Sequence, residues 1–428
     1  MLRRDVGARR SAPRTLVLLL CMLLARQTSA AYSFLTHETI IDLTWATAIQ
    51  PALLSRFPRT TPAELRRARA YAYGGSAIQD AGYYPFGHGI FSDLTHYVRT
   101  GDFITFLIRD ARNVNDLAFA LGALSHYMGD TVGHEQAVNP STAIEFPGLE
   151  KEYGPVVSYA ESPHAHVRTE FAFDIDQLSQ GRFAPALYLH SAGFVVPRRV
   201  LEDAFFQTYG LRLHDILGNE YAAFHSYQSS VRRLLPRFAY AEVLLHRKSF
   251  PADAPTPAFQ QFDRNLKQAN RENGWYKFPR KKTSLSTRWI AALIFLAPRI
   301  GPISDLAIRG PNEETEKRYV ESVNRCVGEY SKLLKELASQ GQDGFHLENL
   351  DLDTGDKVRP GVYRLTDETY AKLLHQLVRK NSHRRTPSEL RQNVLDFYSD
   401  PGAPIATKQH PKAWKKVEQE LAALQAKP

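Results

Sequence analysis

The clearest pattern of apolar and polar positions runs from Asp116 to His134, DLAFALGALSHYMGDTVGH. At helical spacing Leu117, Leu121, Leu124 and Met128 share one face, and His126 and Asp130 stand four residues apart on the opposite one. Phe119 and Ala123 join that second face, so the helix is apolar almost all round from Leu117 to Leu124. Such a helix sits inside a domain rather than on its surface. An imidazole and a carboxylate on it must be paired, hydrogen-bonded or bound to a metal. The plainest reading is a His–Asp pair closing a core hydrogen bond. His134 extends the row by four more residues, while Gly129 and Gly133 signal a helix end before it.

Elsewhere the pattern is again helical. A helix starts at Thr36, its expected N-cap, with Ile40, Ile41 and Leu43 as apolar contacts. Thr61 or Pro62 opens another. Residues 71–97, rich in Gly and aromatics, read as a long structured loop with Asp80 near its start and His96 near its end. Helices follow at Gly101–Arg109 and Asn115–Thr131, then a loop with Pro140, Pro147 and Pro155. His164–Leu178 is helical in pattern and carries His166 and Glu170 one turn apart, and helix-like segments recur from Ser191 to Leu244.

Farther on, the basic run Lys277–Lys282 precedes apolar Trp289–Ala297. That is either a solvated linker before a buried helix or an interfacial anchor attracted to anionic lipid heads. A charged helix runs from Pro311 to about Leu337, and helices at Asp367–Lys380 and Pro387–Tyr398 close the chain. Between them lies a turn-rich segment whose Asp351, Asp353 and Asp356 weakly resemble a calcium loop. No alternating run argues for a sheet. The expected fold is all-α, a multi-helix bundle with a largely helical C-terminal extension.

Composition changes this picture mainly at the N-terminus. Arg3, Arg4, Arg9, Arg10 and Arg14 precede an apolar run from Leu16 to Ala25, and Ser29, Ala30 and Ala31 offer small residues for cleavage. Residues 1–31 therefore read as a signal peptide and the product as secreted or periplasmic. The remaining regions divide as 32–250, 251–310 (a basic and apolar connecting segment) and 311–428. The 428-residue chain has a formal charge of +9, but removing the leader's six Arg and one Asp leaves +4. A nucleic-acid footprint is not read from that charge. Only Cys326 remains in the mature chain, which excludes an intrachain disulfide and leaves the core, assisted by metal, to hold the fold.

Seven of the fifteen histidines fall between His37 and His166. In order, the ligand-type residues are His37, Asp80, His96, His126, Asp130, His134, His166 and Glu170. Histidines with carboxylates and no thiolate suit catalytic zinc, and eight groups are too many for one tetrahedral ion. They suit a cluster in which one carboxylate bridges two metals.

This series resembles the zinc-dependent phospholipase C family, in a superfamily with fungal single-strand-specific zinc nucleases and glycosylphosphatidylinositol-specific phospholipase D. An aromatic residue at the mature N-terminus followed by a His matches Tyr32 and His37. An Asp and a His around a loop match Asp80 and His96, the H-x-x-x-D helix matches His126 and Asp130, a following His matches His134, and H-x-x-x-[DE] matches His166 and Glu170. The resemblance covers roughly residues 32–175.

It implies up to three Zn2+ ions in an interhelical cleft. Asp80, His96, His126 and Asp130 would hold one. Asp130 would bridge to a second, completed by His37 and the amine and carbonyl of Tyr32. His134, His166 and Glu170 would hold the third. Asp80 is the carboxylate expected to orient the attacking water. The implied activity is phosphodiester hydrolysis, with phospholipid head groups as substrate and a possible peripheral membrane contact. No specific nucleic-acid partner is expected.

Departures from the family pattern are Tyr32 for Trp, Ala81 where choline-selective relatives carry Tyr, and Phe171 where Asn is common. The Asp130–His134 spacing is shorter than in the bacterial phospholipases and closer to the phospholipase D type. Single-strand nuclease chemistry and a non-catalytic secreted zinc-binding protein are the competing readings.

Overall fold

In the computed structural model, which describes residues 33–246, 256–280, 310–341, 344–379 and 386–426, Val114–Gly133 is a 20-residue helix buried everywhere except Asn115. Asn113 caps it, its side-chain oxygen accepting the amides of Asn115 and Asp116. Packing, not propensity, keeps it helical. A buried leucine such as Leu121 is worth about 2–5 kcal/mol over alanine, against roughly 1 kcal/mol lost at an interior glycine. Gly122 and Gly75 also bring this central helix against Pro62–Gly75. A β-carbon at either would come within 2.1 Å of a carbonyl oxygen on the other helix, Ala72 or Phe119.

The first helix, Phe34–Thr44, crosses the central helix. It starts two residues before the expected cap. Thr36 lies inside it, and its amide and that of Leu35 donate to the Asp174 carboxylate at 3.1 and 2.9 Å. The Thr36 hydroxyl donates to the same group at 2.6 Å. The cap is thus a buried carboxylate from a distant helix, Pro163–Ser179.

Two expected loops prove helical. Residues 71–97 contain the end of Pro62–Gly75, a tight 3-10 turn Ile78–Tyr83 and the helix Gly89–Tyr97. Its glycines serve close packing there rather than a loop. Pro147 opens the short helix Pro147–Tyr153, where a missing N–H costs nothing, and Pro140 lies in another, Asn139–Glu145. The central helix does not stop at Gly133 either. It widens into a π turn, His134–Val138, and continues into Asn139–Glu145.

Glu313–Gln340 packs along the central helix, and its Tyr330 hydroxyl donates to the Leu121 carbonyl at 2.7 Å. One hydrophobic core includes residues from Phe34 to Leu424, so the region after 311 shares the core of the N-terminal half. Among the described residues the structure is all-α; the β feature is an isolated bridge between Leu350 and Lys357. No described helix is long and apolar enough to cross a membrane. Residues 1–31, Tyr32 and most of the Lys277–Ala297 stretch lie outside the described residues.

Candidate metal centre

The four helices, the 3-10 turn and the π turn that carry the expected ligands bring eight side chains together in three groups: His37, His126 and Asp130; Asp80, His96 and His126; His134, His166 and Glu170. Within each group the ligand atoms lie within 4.8 Å of one another. Asp130 sits at the centre of the first two. Its Oδ1 is 3.3 Å from His37 Nε2, and its Oδ2 is 3.1 and 3.3 Å from Nε2 of His126 and His96. Asp80 approaches His96 Nε2 from the other side at 3.4 Å. In the third group Glu170 Oε1 is 2.9 Å from His166 Nε2 and 3.5 Å from His134 Nε2.

Nearby carbonyls set the tautomers. His96 Nδ1 bonds to Ser92 O at 2.8 Å, His126 Nδ1 to Ser76 O at 3.1 Å, and His134 Nδ1 to Leu352 O at 2.6 Å. A carbonyl only accepts, so each Nδ1 carries a hydrogen, which leaves each Nε2 turned inward and able to offer a lone pair to a metal. His96 and His126 Nε2 are 3.4 Å apart, beside two carboxylates. Carboxylates gathered in a buried site are unfavourable unless positive charge, a proton or a cation, lies among them. Neither Asp130 oxygen nor His134 Nε2 has a hydrogen bond, although all are buried. The donor set, nitrogen and oxygen without sulfur, fits zinc.

Electrostatics agree with a site built for cations. Burial opposes charge on Asp130, but the rings of His126, His37 and His96 overcome it and hold its pKa well below the usual carboxylate range. Burial likewise disfavours a charged His96, and the Asp130 and Asp80 carboxylates outweigh it, raising that ring well above its ordinary value. In the third group burial dominates. It pushes Glu170 well up, helped by the charges of Asp130 and Asp80, and pushes His166 well down, helped by His134. Both shifts favour the uncharged forms of His166 and Glu170, whereas a metal favours the ionised carboxylate.

The other histidines of this half do not join. His164 is exposed, and His88 is exposed and caps the helix that carries His96 through its Nδ1, 3.4 Å from the Ile90 amide. Sequence reasoning missed Tyr159, whose ring stands edge-on to His166, and the segment 347–353 that lies against His96 and His134. The three aspartates there form no calcium loop. Asp351 is consumed by the amides of Asp353 and Thr354 and the Thr366 hydroxyl, and Asp356 is exposed. A separate surface cleft of about 700 Å³, lined by Arg56, Arg109, Arg112 and Arg212 with Asp110, Glu202 and Asp203, contains none of the eight ligands.

Fold and site together define an all-helical protein with a buried, multinuclear histidine–carboxylate metal centre. The family profile described as zinc dependent phospholipase C matches residues 36–218, a stretch that holds all eight side chains. This region is similar to the zinc-dependent phospholipase C family, and the three groups are placed to take up to three zinc ions. Neither the curated proteins nor the solved structures yield a match to the chain.

Proposed function

We propose that this protein is exported, loses residues 1–31, and hydrolyses the phosphodiester of phospholipid head groups at the centre around Asp130. The observation that carries the reading is the set of inward-facing Nε2 atoms of His96, His126 and His134, each oriented by a backbone carbonyl. Zinc bound there supplies Lewis-acid stabilisation of the charge that develops on the phosphoryl group. Asp130 holds the rings of His37, His96 and His126 at fixed separation. Asp80 is the natural base. Its Oδ1 has no hydrogen bond, and its role is to take the proton of water as that oxygen bonds to phosphorus and the P–O bond to the diglyceride breaks, the same proton then passing to the departing diglyceride oxygen.

A lipid substrate is favoured over nucleic acid by the connector between the Asp80 turn and the His96 helix. Phe86 projects from it 73% exposed, at a left-handed φ of 64°. An aromatic held out at such a backbone cost, of order 1–3 kcal/mol, fits contact with an aggregated apolar substrate. The deciding experiment compares hydrolysis of phospholipid vesicles and single-stranded DNA by the zinc-loaded protein. Faster turnover of vesicles is expected. Preference for DNA favours the nuclease reading, and zinc without any hydrolysis favours a binding protein.

A further inference from the structure

Asp353 lies beyond the region that matches the family, yet its side chain is fully buried against the third ligand group. The hydroxyls of Tyr97 and Tyr363 donate to its Oδ2 at 2.9 and 2.6 Å. Its Oδ1 accepts no hydrogen bond and stands 3.7 Å from His134 Nδ1. The preceding residue binds both halves of the centre: Leu352 N–H donates to His96 O at 3.0 Å, and Leu352 O accepts from His134 Nδ1 at 2.6 Å.

The chain leading to this point is fitted closely to the N-terminal half. Thr100 Oγ1 donates to Leu350 O at 2.6 Å, the Asp102 amide donates to Asn349 Oδ1 at 3.0 Å, and Tyr127 donates to Glu348 O at 2.8 Å. Asn139 Nδ2 donates to Asp353 O at 2.7 Å. Gly101 makes room for the passage, because a β-carbon there would lie 2.2 Å from Glu348 O and 2.6 Å from Leu347 O.

Building on the zinc reading above, we infer that segment 347–353 is a strap that completes the His134, His166 and Glu170 site, and that Asp353 is its positioning residue. The Leu352 carbonyl fixes the His134 ring. The open oxygen of Asp353 adds a negative charge beside the same N–H, which favours the ring when zinc draws electron density from Nε2. A purely structural Asp353 would need only to accept from two tyrosines, and an asparagine oxygen does that equally well. Asparagine, however, would lose the charge and turn an NH2 toward the His134 N–H, donor against donor. The two roles are therefore separable.

The test is zinc stoichiometry by native mass spectrometry and zinc affinity by chelator competition, with melting temperature alongside, on the full mature chain. Wild type should bind three ions. Asp353→Asn should bind one of them about 10–100-fold more weakly, the range expected when a ligand's outer partner is removed. Gly101→Ala, which deletes no polar group, should weaken the same ion by displacing residues 347–348, and it carries the test if Asp353→Asn fails to fold. Wild-type affinity for all ions in Asp353→Asn, or in Gly101→Ala where the first does not fold, overturns the strap while leaving the zinc reading intact. A wild type that binds no zinc overturns both.

Discussion

The His37 imidazole lies directly on Gly129: a β-carbon at that glycine would stand 3.0 Å from His37 Cε1 and 3.1 Å from Nδ1. The central helix thus spends a glycine, one turn from His126, to let the first helix deliver its ligand. Gly129→Ala should gain up to about 1 kcal/mol of helix propensity. It should also push the ring outward by a few tenths of an ångström. Chelator titration should then show roughly tenfold weaker binding of the ion held by His37, with metal-free stability in urea changed by less than about 1 kcal/mol. Unaltered zinc affinity would remove His37 from the centre.

His126 belongs to two ligand groups at once. His126→Ala should therefore lose more metal than His166→Ala, which touches one group. Ligand binding stabilises only the folded state, by about 2.7 kcal/mol when free ligand is a hundredfold above its Kd. The melting temperature of His126→Ala should respond to added zinc far less than that of wild type. An equal response in a calorimetric scan would count against the shared role.

Asp42 provides a pH test away from the metals. Burial pushes its carboxyl up to about 7, against the nearby Arg69 and the hydroxyls of Tyr73 and Tyr188. The folded value exceeds the unfolded one, so the folded state holds the extra proton between them. Stability from this group is present at pH below about 4 and is lost as pH rises through about 7. Asp42→Asn keeps a neutral side chain throughout. Its stability relative to wild type should improve from pH 5 to pH 8, on the order of 2–4 kcal/mol for a shift of this size. Urea titrations of both proteins with chelator present measure the difference directly, and a flat difference means Asp42 is not buried as described.

Phe86 separates strain from function. Phe86→Gly relieves a left-handed φ and should raise stability slightly, by about 0.5–1 kcal/mol, with zinc content unchanged. Its rate on vesicles should fall several-fold, while its rate on a soluble short-chain substrate stays near wild type. Equal losses on both substrates would move Phe86 from the lipid contact to the chemistry.

If the protein is exported as proposed and the Tyr32 amine binds zinc, that amine must be free, so N-terminal sequencing of the processed protein should begin at Tyr32. A start at Ala31 would turn that nitrogen into an amide, a poor zinc ligand. An uncleaved precursor should carry one ion fewer and show little activity.

Helical periodicity made two pairs legible, His126 over Asp130 and His166 over Glu170, and the local excess of histidines with the family resemblance pointed to His37, Asp80, His96 and His134. What supports them was not legible. The acceptors for His96, His126 and His134 are backbone carbonyls of Ser92, Ser76 and Leu352, which no side-chain pattern encodes. The cap of the first helix comes from Asp174, 138 positions after Thr36. Pairings at that range leave no periodic trace, whereas the helix start at Thr61 or Pro62 was readable from adjacent residues, and the structure closes it with a local capping box of Thr61 and Glu64. Gly74 and Gly75 were misread for a related reason. Glycine marks a loop by local chemistry and a helix contact by its distant neighbour, here Val195 and Phe119.

The strap also bears on the order in which the molecule matures. Leu352 follows His134 by 218 positions, and a chain made from its N-terminus displays every ligand side chain long before that carbonyl exists. Until then the His134 ring is free to choose its tautomer, and the third ion meets only one oriented ring, that of His166. A nascent or truncated protein would hold its first metals and lack the last. The final zinc would thus report that translation, and the long-range closure that follows it, had been completed.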